Sequence, residues 1–300
     1  MSIGIYAFGH GGGVPGPIPN TPVGSAGNTN FAIVPNVNSF PPGRPGDDYL
    51  RNGFQVYGDR TVAWLGNRPY WLIDCGPETM LSICGVMSKW TRPVAETLKG
   101  IFLTHCHDDH TGGLKSLGYR AKFIEKTKPY LYYPIALAKL LDSQLAEMAF
   151  MNPTSTEHGP SAFYTMWPLN RGKIDDWGDF EITHFPVYHN CFDGAGNPFP
   201  AFGYKITTKE GKIVTFSGDT AFPIEAKHFE ESDLVIHDVQ FYSDGSKNDH
   251  VHCPYHMLRD AVRPELRHKV LLTHTSHDLP PEAIADGFKL LRGGDVIVLP

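Results

Sequence analysis

The six residues His105-Cys106-His107-Asp108-Asp109-His110 pack three imidazoles and two aspartates directly after the apolar run Ile101-Phe102-Leu103 and just before Gly112-Gly113. Ile101 to Thr104 reads as a strand, so the whole polar cluster is delivered at one strand's carboxyl end. Imidazole nitrogen and carboxylate oxygen suit zinc, manganese or iron(II), and a divalent ion held by them lowers the pKa of a bound water far enough to give hydroxide near neutral pH. The cluster therefore outlines a binuclear metal site. A solvated polar turn is the bland alternative, but three imidazoles in this order, after a hydrophobic strand and before two glycines, set the run apart from an ordinary turn.

Further on, three more metal-ligating side chains follow apolar runs. Pro186-Val187-Tyr188-His189 ends an alternating segment from Glu181 to Val187, Ser217-Gly218-Asp219-Thr220 follows Ile213-Val214, and Leu271-Leu272-Thr273-His274 closes another run. Each is expected just past the carboxyl end of a strand, where loops converge on one cleft while the sheet holds them rigid. Taken singly, such a His or Asp is as well explained by a capped turn.

The order His-x-His-x-Asp-His, with the later His189, Asp219 and His274 in sequence, resembles the metallo-β-lactamase superfamily. The resemblance implies an α/β fold, an αβ/βα sandwich of two mixed sheets flanked by helices. It implies two divalent metal ions, zinc first and manganese or iron(II) next: one on His105, His107 and His189, the other on Asp109, His110 and His274, with Asp219 bridging. Asp74, in Trp71-Leu72-Ile73-Asp74-Cys75-Gly76, matches the family's aspartate that orients a ligand from outside, fixing an imidazole's tautomer and raising its basicity.

Within that superfamily the chain resembles the ribonuclease Z branch over nearly its whole length. Phe8-Gly9-His10-Gly11-Gly12-Gly13 looks like its first glycine-rich turn, and Phe202-Gly203-Tyr204-Lys205-Ile206 precedes Ser217-Gly218-Asp219-Thr220 as it does there. His237-Asp238 occupies the place of a His-Glu motif, and His252-Cys253-Pro254 the place of a second catalytic histidine. Asp for Glu is a departure, but a carboxylate is retained, so an Asp238 to His252 dyad would protonate a leaving oxygen. Asp109, His252 and Asp238 are thus the catalytic candidates. The implied chemistry is phosphodiester hydrolysis through a metal-bridging hydroxide.

Substrate size is argued from charge. Transfer-RNA nucleases of this branch carry a basic arm between the histidine motif and the third ligand, because phosphate contacts by Lys and Arg supply most nonspecific affinity. Here the formal charge is −6, and Leu140 to Asn170 contains no Lys or Arg. That speaks against extended nucleic acid and for a small phosphodiester, with 3′,5′-cyclic nucleotides as the leading class. Phosphodiesterases of this fold that act on cyclic nucleotides, phage-encoded ones that erase bacterial immune signals among them, resemble the chain in having the motif without the arm. The alternatives are a transfer-RNA 3′ endonuclease reading RNA through another surface, an arylsulfatase, lactonase or thioesterase on the same metals, and a metal-binding protein without turnover.

Three hundred residues, 41% apolar and 19% charged, suffice for one domain over 1–300. No run of eighteen apolar residues exists and the N-terminus lacks a basic n-region, so a cytoplasmic protein without a membrane partner is expected. Five cysteines without a CxxC pair speak against a disulfide framework, and Cys106 is expected to be a packed thiol rather than a ligand. Helices are expected over Pro77–Ser88, Pro134–Phe150, Tyr255–Leu266 and Glu282–Leu291, a hairpin about Gly66-Asn67, and a last strand over Asp295–Leu299. The aromatic-rich insertion 144–170, broken by Pro153, Gly159 and Pro160, is expected as a loop serving as lid or as contact in a homodimer.

Overall fold

The computed structural model describes residues 3–7, 30–35, 48–51, 54–57, 69–77, 79, 97–146, 148, 159–170, 175–176, 180–192, 195–241, 251–275, 280–291 and 296–299. The expected glycine cluster at Gly11–Gly13, the turn at Gly66-Asn67 and nearly all of the helix expected over Pro77–Ser88 lie outside the described residues.

The first strands in chain order are β1 (Ile3–Ala7), β2 (Phe31–Pro35), β3 (Asp48–Arg51), β4 (Phe54–Tyr57), β5 (Tyr70–Ile73) and β6 (Leu98–Phe102). Short helices α1 (Asp108–Thr111) and α2 (Leu114–Tyr119) follow, then β7 (Tyr130–Pro134), α3 (Ala138–Gln144) and β8 (Thr165–Leu169). The second half runs β9 (Asp175–Asp176), β10 (Phe180–Phe192), β11 (Pro198–Thr208), β12 (Ile213–Phe216), α4 (Ala226–Glu231), β13 (Leu234–Asp238), α5 (Tyr255–Ala261), β14 (Val270–Thr273), α6 (Pro281–Ala285), β15 (Lys289–Leu290) and β16 (Val296–Leu299). Among the described residues these form two mixed sheets, ordered β3-β4-β16-β1-β2-β5-β6-β7-β8 and β15-β14-β13-β12-β11-β10-β9.

The sheets pack face to face. Ile3, Ile5, Trp71, Ile73 and Phe102 of the first meet Phe180, Ile182, Tyr204, Val214 and Ile236 of the second in one buried cluster. The outer face of the first sheet is covered by Leu114, Leu117, Leu137 and Leu141, and that of the second by Phe229, Leu258 and Ala283. Such a helix–sheet–sheet–helix stack explains why β13 and β14, both buried on two faces, read as unbroken apolar runs rather than alternating ones. It is an α/β sandwich of the metallo-β-lactamase kind. The parallel strands β5, β6, β12, β13 and β14 all end along one rim, and that rim carries the polar residues singled out above.

Several expected boundaries move. Pro134 ends β7, a short 3-10 turn Ile135–Leu137 follows, and the α-helix covers only Ala138–Gln144 instead of starting at Pro134. The helix expected over Tyr255–Leu266 stops at Ala261, because Pro264 starts a separate 3-10 turn and restricts the residue before it. That expected over Glu282–Leu291 stops at Ala285; Gly287 turns left-handed (φ 92°) and Lys289–Leu290 pairs with β14. Of the insertion 144–170, Thr165–Leu169 is not loop but the edge strand β8, parallel to β7, with Phe163 and Tyr164 buried ahead of it. Cys75, Cys106, Cys191 and Cys253 are free thiols, and no described helix is long and apolar enough to cross a membrane.

Candidate metal centre

β6 delivers the histidine run at its carboxyl end, and the run folds back at once. His107 caps α1, whose first turn carries Asp109 and His110. Gly113 then passes directly under the loop after β5: its N–H donates to Cys75 O at 2.8 Å, Cys75 N–H donates to His110 O at 2.7 Å, and any Cβ on Gly113 would strike the Gly76 carbonyl. Two glycines after the histidines are therefore a packing requirement that brings Asp74 beside them.

Asp74 is buried with φ 61°, and accepts from Thr104 N–H (2.8 Å), the Thr104 hydroxyl (2.7 Å) and His110 Nδ1 (2.7 Å). Because the Thr104 hydroxyl spends its proton on Asp74, its oxygen accepts from His105 Nδ1 at 3.0 Å. His189 Nδ1 likewise donates to the Val251 carbonyl at 3.1 Å. Protons placed on Nδ1 make Nε2 the nitrogen that offers a lone pair when each of the three rings is neutral.

Those lone pairs converge. His110 Nε2 and His274 Nε2 lie 3.3 and 3.2 Å from Asp219 Oδ2 and both 3.5 Å from Asp109 Oδ2. His105 Nε2 is 3.8 Å from Asp219 Oδ2, and His189 Nε2 is 3.1 Å from His107 Nδ1. Nε2 of His105, His110 and His274 are buried without a hydrogen-bond partner. Two ligands each about 2.0–2.1 Å from one tetrahedral zinc sit about 3.3 Å apart, so these separations match the edges of coordination polyhedra.

Charge makes the same demand. Asp74 and Asp219 are buried with the half-buried Asp109 beside them, and among the described residues no Lys or Arg pairs with them, so only imidazoles meet their charge, and buried carboxylates short of positive charge are costly. Burial would lower the His110 pKa, but Asp219, Asp74 and Asp109 override it and hold the ring well above the usual histidine range. Burial would raise Asp219, but His274, His110 and His105 hold it well below the usual carboxylate range. His189, by contrast, is pushed down to about 4 by burial. The residues present fit divalent cations.

Three groups of described side chains converge closely enough to hold an ion: His105, His107 and His189; Asp109, His110, Asp219 and His274; and Asp238, His252 and His274. The first two contain all seven residues singled out as ligands from sequence. Gly218 and His274, with φ 62° and 63°, turn the chain sharply after β12 and β14, and a Cβ on Gly218 would lie 2.5 Å from the Phe202 carbonyl oxygen. His189 departs from expectation: it lies within β10, not past its end, where pairing with β11 slips between Tyr188 and Phe192. An irregularity of that kind re-aims a side chain without ending the strand.

In the third group His252 Nδ1 bonds Asp238 Oδ2 at 3.0 Å and lies 3.8 Å from Asp219 Oδ2, while its ring stacks on His274 at 4.1 Å. Burial would lower the pKa of His252, but Asp238 and Asp219 raise it to about 9. Asp238 Oδ2 also accepts from Thr220 N–H at 2.9 Å, which ties the dyad to the loop carrying Asp219. Cys106 points into the core, its thiol pushed up to about 12 by burial, and belongs to none of the groups. Sequence reasoning missed Thr104, whose hydroxyl at the end of β6 was a visible signal, and the Val251 carbonyl, which has none.

Fold and site together define a hydrolase of the metallo-β-lactamase superfamily on its ribonuclease Z-like branch. A family model for the anti-Pycsar protein Apyc1 matches residues 64–295, and the chain belongs to that family. Ribonuclease Z of Bacillus subtilis is 26% identical over 247 residues, 70% of this chain and 78% of that protein. Among solved structures, the metallo-β-lactamase fold protein YhfI of Bacillus subtilis superposes with a TM-score of 0.64 at 16% identity, covering 99% of both chains. Yeast PDE1 superposes with a TM-score of 0.63 at 12% identity, also covering 99% of both.

Proposed function

We propose that the chain is a binuclear metal-dependent phosphodiesterase acting on small phosphodiesters, 3′,5′-cyclic nucleotides first. His105, His107 and His189 would hold one ion, Asp109, His110 and His274 the other, with Asp219 shared between them; zinc suits the donor set, with manganese or iron(II) as substitutes. When bound, the pair supplies positive charge for a non-bridging phosphate oxygen and lowers the pKa of water. Asp74 and the Val251 carbonyl hold His110 and His189 by Nδ1, so that Nε2 of each ring would be the nitrogen that binds an ion. Asp238 orients His252 and keeps its proton, so that Nε2 of that ring donates to the departing alkoxide.

The observation that carries the reading is this dyad, an imidazole whose Nδ1 is bonded to Asp238 Oδ2 at 3.0 Å and lies 3.8 Å from Asp219 Oδ2. An alkoxide is a poor leaving group and needs an acid, whereas a lactone, thioester or aryl sulfate needs one far less. The absence of Lys and Arg between Leu140 and Asn170 favours a small substrate, and the family to which the chain belongs is named for an anti-Pycsar protein rather than a nuclease. In this reading residues 1–300 are one cytoplasmic domain acting as a homodimer, with the insertion 144–170 as the contact, a role supported by the exposed aromatic surface of Trp167 on the edge strand β8 and Tyr130 beside it.

The test is turnover on a side-by-side panel of bis-p-nitrophenyl phosphate, 3′,5′-cyclic nucleotides, a precursor transfer RNA, p-nitrophenyl sulfate and a lactone. Cleavage of cyclic nucleotides is expected; cleavage of the sulfate or lactone alone would refute it. Similarity to ribonuclease Z supports a second reading, a transfer-RNA 3′ endonuclease, for which precursor cleavage with strongly salt-dependent RNA binding is the signature.

A further inference from the structure

Four of the five imidazoles in the two ligand groups have an Nδ1 that faces a polar group of the protein. His105 is held by Thr104, His110 by Asp74 and His189 by the Val251 carbonyl, while His274 Nδ1 faces Asp238 Oδ1 at 3.8 Å. His107 is the exception. Its Nδ1 is the nitrogen turned toward His189, so its outward nitrogen is Nε2, and no described residue hydrogen-bonds to it. The ring is also partly exposed, whereas His105, His110, His189 and His274 are buried.

What the His107 ring has instead is an aromatic partner. Phe199 stacks on it at 5.0 Å between centroids with an interplanar angle of 28°, and Phe199 is itself packed against the buried cluster of Leu114, Leu137 and Phe202. Phe199 lies at the start of β11, and the antiparallel partner β10 carries His189. One hairpin therefore brings in both a ligand and the surface that fixes the ring facing it. A hydrogen bond fixes a ring at one point and sets its tautomer; a stacked face fixes its plane and excludes water from one side, leaving the outward N–H to solvent.

We infer that Phe199 is the positioning residue of His107, fixing by ring stacking the orientation that hydrogen bonds fix for His105, His110 and His189, and that it sets the affinity of the His105–His107–His189 site. This rests on the metal reading of that site. It also makes the first ion the more readily exchanged of the two, since one of its four ligands is held on the partly exposed side of the cleft and by apolar contact alone.

The experiment compares native protein with Phe199→Leu, which keeps apolar volume but removes the ring face, and Phe199→Tyr, which restores it. Each is stripped of metal, its fold checked by thermal denaturation, and titrated with zinc against a competing chelator. The native chain is expected to take up about two ions. In Phe199→Leu one ion should weaken roughly 10- to 100-fold while the other is unchanged, the range seen when a ligand's outer partner is lost, and Phe199→Tyr should bind as the native chain does. Two unchanged affinities in Phe199→Leu, an equal loss of both, or a Phe199→Tyr as weak as Phe199→Leu would each overturn the inference while leaving the metal reading intact. A native chain that takes up no zinc would overturn both.

Discussion

Replacing His252 by Ala separates its role as an acid from any structural role. The substitution removes a charge-assisted bond of 3.0 Å to Asp238 Oδ2, but that oxygen keeps the Thr220 N–H at 2.9 Å, so the carboxylate is not orphaned. The cost in folding stability should stay within roughly 1.5–3 kcal/mol, the worth of one hydrogen bond to a charged group. The effect on turnover is set by the leaving group. Loss of a positioned general acid lowers the rate roughly 10²- to 10⁴-fold where the leaving oxygen needs a proton, about 3–5 kcal/mol in the barrier. p-Nitrophenolate leaves without one, so bis-p-nitrophenyl phosphate should be cleaved within about threefold of the native rate. Steady-state kcat on a 3′,5′-cyclic nucleotide and on the aryl diester, with metal content measured on the same samples, gives the comparison. Equal losses on both substrates at unchanged metal content would refute the acid role and leave His252 as a group that merely packs on His274.

Other perturbations follow from the same geometry. Asp74→Asn keeps the shape but puts an amide where His110 Nδ1 and the Thr104 hydroxyl need an acceptor; zinc affinity measured by chelator competition should fall roughly 10- to 100-fold, and unchanged affinity would mean that Asp74 serves the fold alone. Gly218→Ala places a methyl 2.5 Å from the Phe202 carbonyl in a left-handed residue and should destabilise by roughly 1–3 kcal/mol in urea unfolding; a neutral result would contradict the turn described after β12. Trp167→Lys on β8 should convert a dimer to monomer in sedimentation velocity without altering metal content, whereas an unchanged sedimentation coefficient would remove that edge as the contact.

Much of the centre could be read from the chain because parallel strands buried on both faces leave a plain trace, an apolar run with polar residues only at its end. β14 has that form, and β6 and β12 come close to it through Ile101-Phe102-Leu103 and Ile213-Val214, so His105 through His110, Asp219 and His274 stood out. Asp74 stood out for the same reason at the end of β5. His189 was found through the order of ligands, but its setting was not, since a slip in strand pairing depends on the partner's register and leaves no local pattern. Where helices stopped was equally hidden. Leu137, Leu140, Leu141 and Leu145 keep helical spacing through a 3-10 turn as well as through α3, and Lys289–Leu290 becomes a strand only because β14 is there to pair with it. What holds His189 and His107 was beyond reach for another reason: the Val251 carbonyl and the Phe199 ring meet their histidines across 62 and 92 residues of chain, and any backbone or apolar residue could have stood there.

The most direct test of the account is metal stoichiometry of the native chain and of Asp219→Ala, measured by mass spectrometry of the metals in protein purified with and without added zinc. About two ions per native chain and loss of one or both in the variant are expected, because Asp219 is the carboxylate on which His105, His110 and His274 converge. A native chain with no bound metal, or a variant that retains two ions, would contradict it.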